Sequence, residues 1–229
     1  MEREVLKEPK FSEEIVGIVR SGMDKEAVIE QLRDYHENDI AQSLAFLTSQ
    51  ERRHLYKLLG AEWTSEIFSH VEEPKAYIEE LSIDQLAAVI NEMDSDDAVD
   101  LLEDIDDTVK NQLYPILKED VKADIRLIHS YDEDEIGSLI TNNYICISKD
   151  LNIRQAMHEL IRQAGDNDNI STIYVTDKQG KFSGAIDLKD LIIARENDDL
   201  DDLIIYSYPY LIAHEKISEN IELIKDYAE

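Results

Sequence analysis

The sequence predicts an α + α/β chain, in which an all-helical, superhelical N-terminal domain is followed by a small strand-and-helix module. Three observations carry this. Up to about Tyr131 there are only three glycines (Gly17, Gly22, Gly60), and apolar residues recur at helical spacing throughout. Beyond it, β-branched runs punctuated by glycine alternate with short helical stretches. The 229 residues are enough for two bodies, each with its own core. We therefore divide the chain into residues 1–130, 131–196 and 197–229.

In the first part, Asp39-Ile40-Ala41-x-x-Leu44-x-x-Leu47 is echoed by Gln85-Leu86-Ala87-x-x-Ile90-x-x-Met93 and by Asp97-Ala98-Val99-x-x-Leu102-x-x-Ile105. Each copy is a short amphipathic helix with its apolar residues on one stripe. Start signals agree. Thr48 with Glu51 and Ser82 with Gln85 fit capping boxes, Asp94 offers an N-cap oxygen, and Pro74 suits a first helical turn. Helices this short do not persist alone in water, so each must lay its stripe on its neighbours as a bundle or a stack of helix pairs. The copies are irregularly spaced, which argues against a regular solenoid.

In the second part, Tyr144 to Ile147 reads as a strand and Ile153 to Ala164 as a helix. Ser171 to Thr176 follows as a strand. Asp177-Lys178-Gln179-Gly180 is a turn in which Gly180 takes positive φ. Lys181 to Ile186 returns as a strand and Asp187 to Ala194 closes as a helix. From Leu203 the pattern restarts, with Tyr208-Pro209-Tyr210-Leu211-Ile212 expected as a strand beside alternating tyrosines 206, 208 and 210, and Ser218 to Tyr227 as a helix.

Composition excludes several functions. The formal net charge is −29, so a phosphate-backbone binder would start against strong repulsion, and nucleic acid is not expected as a partner. The same field favours cations, although acidity for solubility alone explains it equally well. The single Cys146 forms no internal disulfide and points to a reducing compartment. No run approaches the ~20 apolar residues that span a bilayer, and Met1-Glu2-Arg3-Glu4 carries no apolar signal core. His36, His54, His70, His129, His158 and His214 are scattered without ligand spacing, and Cys146 reads as a buried structural thiol. There is no Gly-x-Ser-x-Gly and no phosphate-binding glycine loop, so no enzyme is expected.

The strand, helix, strand, hairpin, strand, helix order, closed by Gly184-Ala185-Ile186-Asp187-Leu188-Lys189-Asp190-Leu191, resembles a cystathionine-β-synthase (CBS) domain (βαββα). The restart at 197–229 is then an incomplete second module. With Met93-Asp94-Ser95-Asp96-Asp97-Ala98-Val99-Asp100-Leu101-Leu102 and the joint Tyr131-Asp132-Glu133-Asp134-Glu135-Ile136-Gly137-Ser138-Leu139-Ile140-Thr141, nearly the whole chain resembles the cytosolic region of MgtE-type magnesium transporters. The resemblance implies a regulatory region on the cytoplasmic face of the cell membrane. It also implies a homodimer through the CBS modules and a transmembrane pore elsewhere in the protein. Mg²⁺ bound between the N domain and the CBS pair would hold that pore closed.

By resemblance, Asp96 and Asp100 match the N-domain aspartates that face the CBS module across Mg²⁺. Gly137 or Ser138 supplies a backbone carbonyl, and Asp97 substitutes in a shifted register. The residues make this reasonable. On the helix after Asp94, an apolar stripe of Ala98, Leu101, Leu102 and Ile105 leaves Asp96, Asp100, Glu103 and Asp107 as an acidic row. Such a row repels itself until a divalent ion sits on it, and Mg²⁺ needs only one or two carboxylates beside its waters. Without the family, a solvated acidic face is the better account of the row. The run Asp132-Glu133-Asp134-Glu135 reads first as an exposed linker face and only second as a metal site. An adenine-nucleotide sensor is the alternative. Asp190 matches the ribose-binding Asp of CBS domains, but Asp187 stands where a Ser or Thr is usual, would repel phosphate, and reads better as a helix N-cap. A helical scaffold without ligand is the third reading.

Overall fold

The computed structural model describes residues 11–165, 167 and 169–227, so the Met1 to Glu4 reading lies outside the described residues. These residues form two compact units, one running up to Met93 and resuming at Asp97–Ile125, the other taking Asp94–Asp96 and everything from Arg126 onward.

The first unit is all helix: α1 (Phe11–Val19), α2 (Lys25–Leu32), α3 (Glu37–Ser43), α4 (Ser49–Phe68), α5 (Lys75–Ile78), α6 (Ile83–Ile90), α7 (Ser95–Glu103), α8 (Asp107–Leu113) and α9 (Glu119–Ile128). All twelve apolar positions of the three sequence echoes are buried: Ile40, Ala41, Leu44 and Leu47; Leu86, Ala87, Ile90 and Met93; Ala98, Val99, Leu102 and Ile105. The stripes pack α1 on α3, α3 on α4, α4 on α6 and α6 on α8. Both expected capping boxes form. The Glu51 and Gln85 amides donate to Thr48 Oγ1 and Ser82 Oγ at 3.3 Å, and the Thr48 and Ser82 amides donate back to the Glu51 and Gln85 side chains. Pro74 sits at the N-cap of α5, where its missing N–H costs nothing. Gly60 breaks α4 in two with φ 84° and ψ −180°, a backbone that a residue with a Cβ rarely adopts. One expectation is corrected. Asp107 starts α8, because α7 ends at Glu103, so the acidic row on α7 stops at Asp96, Asp100 and Glu103.

The second unit holds β1 (Ile145–Ser148), α10 (Ile153–Gln163), β2 (Thr172–Thr176), β3 (Phe182–Asp187), α11 (Leu188–Ile193) and α12 (Ile217–Tyr227). The sheet order is β1-β2-β3, with β1 parallel and β3 antiparallel to β2. A parallel pair needs a crossover, which α10 supplies. The tight turn carries β2 into β3 with Gly180 at φ 76°. Ile145, Ile147, Ile173, Val175 and Ile186 from the sheet meet Ile153, Ala156 and Leu160 of α10 and Leu191 of α11 in one core. The free edge of β1 is covered by one side chain. Gln163 accepts from the Cys146 amide at 3.0 Å and donates to its carbonyl at 2.9 Å, replacing a missing strand.

Three sequence expectations are corrected in this unit. Residues 208–212 form no strand: Ile205 alone bridges to Ala185, and Pro209 has no N–H to continue a ladder. The alternating tyrosines find side-chain partners instead. Tyr208 packs edge-on against Tyr174 and the Tyr206 hydroxyl donates to Asp201. Asp187 does occupy the N-cap position of α11, but its side chain makes no capping hydrogen bond. Cys146 is half-buried rather than fully enclosed, with Sγ 3.9 Å from Thr176 Oγ1.

Candidate functional site

The start of α7 carries three of the sequence-predicted residues, Asp96, Asp97 and Asp100. Ala98, Val99, Leu101 and Leu102 face the core, which turns Asp100 and Glu103 to solvent and leaves Asp96 and Asp97 half-buried. The Asn142-Asn143 pair, unread in the sequence, holds this start. Ser95 N donates to Asn142 Oδ1 at 3.1 Å while Asn142 N donates to Ser95 Oγ at 3.0 Å, a reciprocal pair 47 residues apart in sequence. Asn143 Nδ2 donates to Asp94 Oδ2 at 2.7 Å, and Asn143 Oδ1 accepts from the Asn169 amide at 3.1 Å. Asp94, Ser95 and Asp96 thus belong to the same compact unit as the two asparagines.

One atom at this start lacks what burial demands. Asp96 Oδ1 is shielded from water and has no hydrogen-bond partner among the described residues. A buried carboxylate oxygen left without a donor is costly, and a cation is one of the few groups that can satisfy it. The residues present therefore fit a hard divalent ion. They do not enclose one unaided, since among the described residues no three His, Cys, Asp or Glu side chains stand close enough to hold a metal ion. Mg²⁺ tolerates this, because it keeps several waters and takes only one or two carboxylates.

The remaining predicted positions are placed as follows. Gly137 lies in a 3-10 turn (Ile136–Leu139), buried, in the unit that includes Asp96, while Asp97 and Asp100 belong to the helical unit. Ser138 Oγ donates to the Glu135 carbonyl at 2.8 Å. Asp190 is half-buried on α11. Two of the scattered histidines do meet: the His36 and His70 rings lie 5.4 Å apart, and His36 Nδ1 accepts from the Asn38 amide as the N-cap of α3.

Comparison with known proteins decides the family. Residues 35–134 match the MgtE intracellular N domain and residues 136–197 match the CBS domain. The chain carries the paired domains of the MgtE family. Similar curated proteins are the magnesium transporter MgtE of Thermus thermophilus, 26% identical over 209 residues, and that of Enterococcus faecalis, 31% identical over 172 residues. The alignments take in 89% and 73% of this chain but 46% and 37% of those proteins, so the chain spans less than half the length of the curated relatives it matches. Two solved structures share the fold. One is the soluble part of a magnesium transporter (TM-score 0.87, 23% identity, 95% of this chain and 86% of that one). The other is the cytosolic domain of the Mg²⁺ channel MgtE in complex with ATP (TM-score 0.79, 26% identity, 95% and 89%). Asp94, Ser95 and Asp96 fall within the N-domain match and Asn142 and Asn143 within the CBS match, all in the second compact unit. Among the described residues no helix is long and apolar enough to cross a membrane.

Proposed function

We propose that the chain is the Mg²⁺-sensing regulatory region of a magnesium transporter. It acts by binding rather than by catalysis, on the cytoplasmic face of the membrane, as a homodimer through its CBS domains and joined to a transmembrane pore. The ion is held by Asp96 and Asp100, with Asp97 and the Gly137 carbonyl as further ligands, and its binding favours the state in which the N domain and the CBS domain are held together. The observation that carries this reading is the buried Asp96 Oδ1 without a partner among the described residues. The names of the relatives support it. An ion shifts such an equilibrium only by its preference for one state, so the ligands must be completed in the closed state and incomplete in the open one.

Millimolar MgCl₂, compared with NaCl at equal ionic strength, is expected to raise the melting temperature of the chain and reduce its radius of gyration. At free Mg²⁺ tenfold above Kd the gain is about 1.4 kcal/mol. Asp96→Asn and Asp100→Asn should each remove most of it. A wild-type response no larger than that to NaCl sinks the reading.

The ATP complex of the structural relative favours a second reading, in which the CBS domain takes an adenine nucleotide with Asp190 on the ribose. Calorimetry with ATP should then show saturable binding that Asp190→Ala abolishes. Absence of heat in the unmodified chain removes this reading and leaves the first untouched.

A further inference from the structure

The acidic run Asp132-Glu133-Asp134-Glu135 does more than expose charge. Immediately after it, the chain pairs with a segment some eighty residues further on. Ile136 N donates to the Glu215 carbonyl at 2.9 Å, Gly137 N to the Ala213 carbonyl at 2.7 Å, and Ile217 N to the Asp134 carbonyl at 2.9 Å, an antiparallel bridge centred on Glu135 and Lys216. Neither segment belongs to the sheet β1-β2-β3. A pairing this short, with no third strand beside it, is marginal in water from its backbone bonds alone.

Side chains supply the rest. Lys216 Nζ lies 2.5 Å from Asp134 Oδ1 and 3.9 Å from Asp132 Oδ2. The His214 ring lies tilted against Tyr131, centroids 5.0 Å apart, with Nδ1 3.5 Å from Glu135 Oε2. The Tyr131 ring in turn fills the space where a Cβ on Gly137 would stand, 2.4 Å from that point, so glycine at 137 leaves room for the ring that meets His214. Consistent with this placement, the hydrogen bond to Lys216 holds the Asp134 carboxyl below its ordinary range, and the same bond raises the Lys216 ammonium.

We propose that Lys216 is the resident cation of the acidic linker: it closes a latch that ties the segment leading into the CBS domain to the segment leaving it, and it keeps divalent cations off residues 132–135. Four adjacent carboxylates on a chain of charge −29 repel one another. An ammonium anchored by its own backbone removes that repulsion without the dehydration that Mg²⁺ resists. The latch would couple any displacement of α12 to the linker that follows α9. This proposal rests on the contacts of Lys216 and not on Mg²⁺ binding at α7; Gly137 belongs to both readings, so the Ile136 and Ile217 amides carry the readout that separates them.

Amide hydrogen exchange on the full chain tests it, at Ile136 and Ile217, with Ile173 and Val175 of β2 as internal controls. Lys216→Ala should speed exchange at these two latch amides up to roughly fivefold, the usual limit for an exposed ion pair. Lys216→Glu should speed it about tenfold or more through added like-charge repulsion. The swap Asp134→Lys with Lys216→Glu should restore most of the protection. Millimolar MgCl₂ at matched ionic strength should leave the wild-type latch unchanged yet slow its exchange in Lys216→Ala, where the carboxylates have lost their cation. Wild-type rates in Lys216→Glu, or an equal Mg²⁺ effect with and without Lys216, overturn the proposal. If Lys216→Glu also exposes β2, rising NaCl on the unmodified chain gives the same reading: the latch amides must exchange faster with salt while β2 stays protected, and salt-independent latch amides overturn it.

Discussion

In the CBS unit, Ile145, Ile173, Val175 and Ile186 are wholly shut off from water and touch one another through a three-stranded sheet. In the helical unit most helices run only seven to ten residues, and long charged side chains reach from one to the next. Arg52 on α4 grips Glu80 just after α5 with both ends of its guanidinium. It also donates to the Leu44 and Leu47 carbonyls and lies 5.0 Å over the Tyr77 ring. Arg20 after α1 makes a two-pronged pair with Glu51, at 2.6 and 3.0 Å. A sheet distributes its ties over a ladder that every residue shares. Short helices satisfy their backbones internally, so the relative placement of neighbours falls to apolar stripes and to a few polar bridges. Damage should therefore spread differently in the two units.

The single Trp63 separates them experimentally, because it sits in the helical unit with its indole N–H on Glu37 at 3.2 Å, so its fluorescence follows that unit alone. The largest effect is expected from Ile173→Ala, which opens a cavity in the CBS core and should cost roughly 4 kcal/mol. Urea unfolding followed by tyrosine signals and circular dichroism should show that loss, with the Trp63 transition in place. A shift of Trp63 by the same amount would mean that the two units unfold as one.

Arg52→Met comes next. Burial raises the Glu80 carboxyl, but the Arg52 hydrogen bonds and charge outweigh it and keep the pKa below the usual range, so removing Arg52 strands a largely buried carboxylate. A loss of about 3 kcal/mol is expected, this time in the Trp63 transition. Thr48→Ala removes one side of the capping box of α4 and should cost about 1 kcal/mol in the same transition.

The smallest effect is one of pH. The hydrogen bond from Arg20, and then that from the Thr48 amide, hold the Glu51 carboxyl down to about 2 from its ordinary 4.5. A depressed carboxylate stabilises above its unfolded pKa, so this contribution is complete above pH 4.5 and fades as pH falls toward about 2. The stability difference between the unmodified chain and Arg20→Ala, read at Trp63, should shrink across that window. A difference that stays constant would mean that the pair contributes through packing alone.

The parts legible in the sequence are those whose physics is local. Thr48 with Glu51 and Ser82 with Gln85 are three residues apart, so the capping boxes could be read before any fold was known. The capping box of α10, Asn152 with Gln155, had the same signal and went unread. The strands β1, β2 and β3 were legible from β-branched runs, whereas the alternating tyrosines 206, 208 and 210 misled. Alternation describes a half-buried surface but does not provide a neighbouring strand to pair with. At the candidate site the aspartates of α7 stood out by composition, while Asn142 and Asn143 carried no signal that tied them to Ser95 and Asp94.

What the sequence settled by itself was the order of helices and strands, the stripes that became two cores, the sign of the electric field, and the family. Each follows from residue type and spacing along a few turns of chain. Tertiary structure alone decided that one oxygen of Asp96 is hidden from water without a donor among the described residues, that Gln163 covers the edge of β1, and that Lys216 lands among the carboxylates of the linker. Such facts depend on where distant segments end up. Burial and hydrogen bonding are properties of positions in space, and a chain acquires those only when its cores have closed.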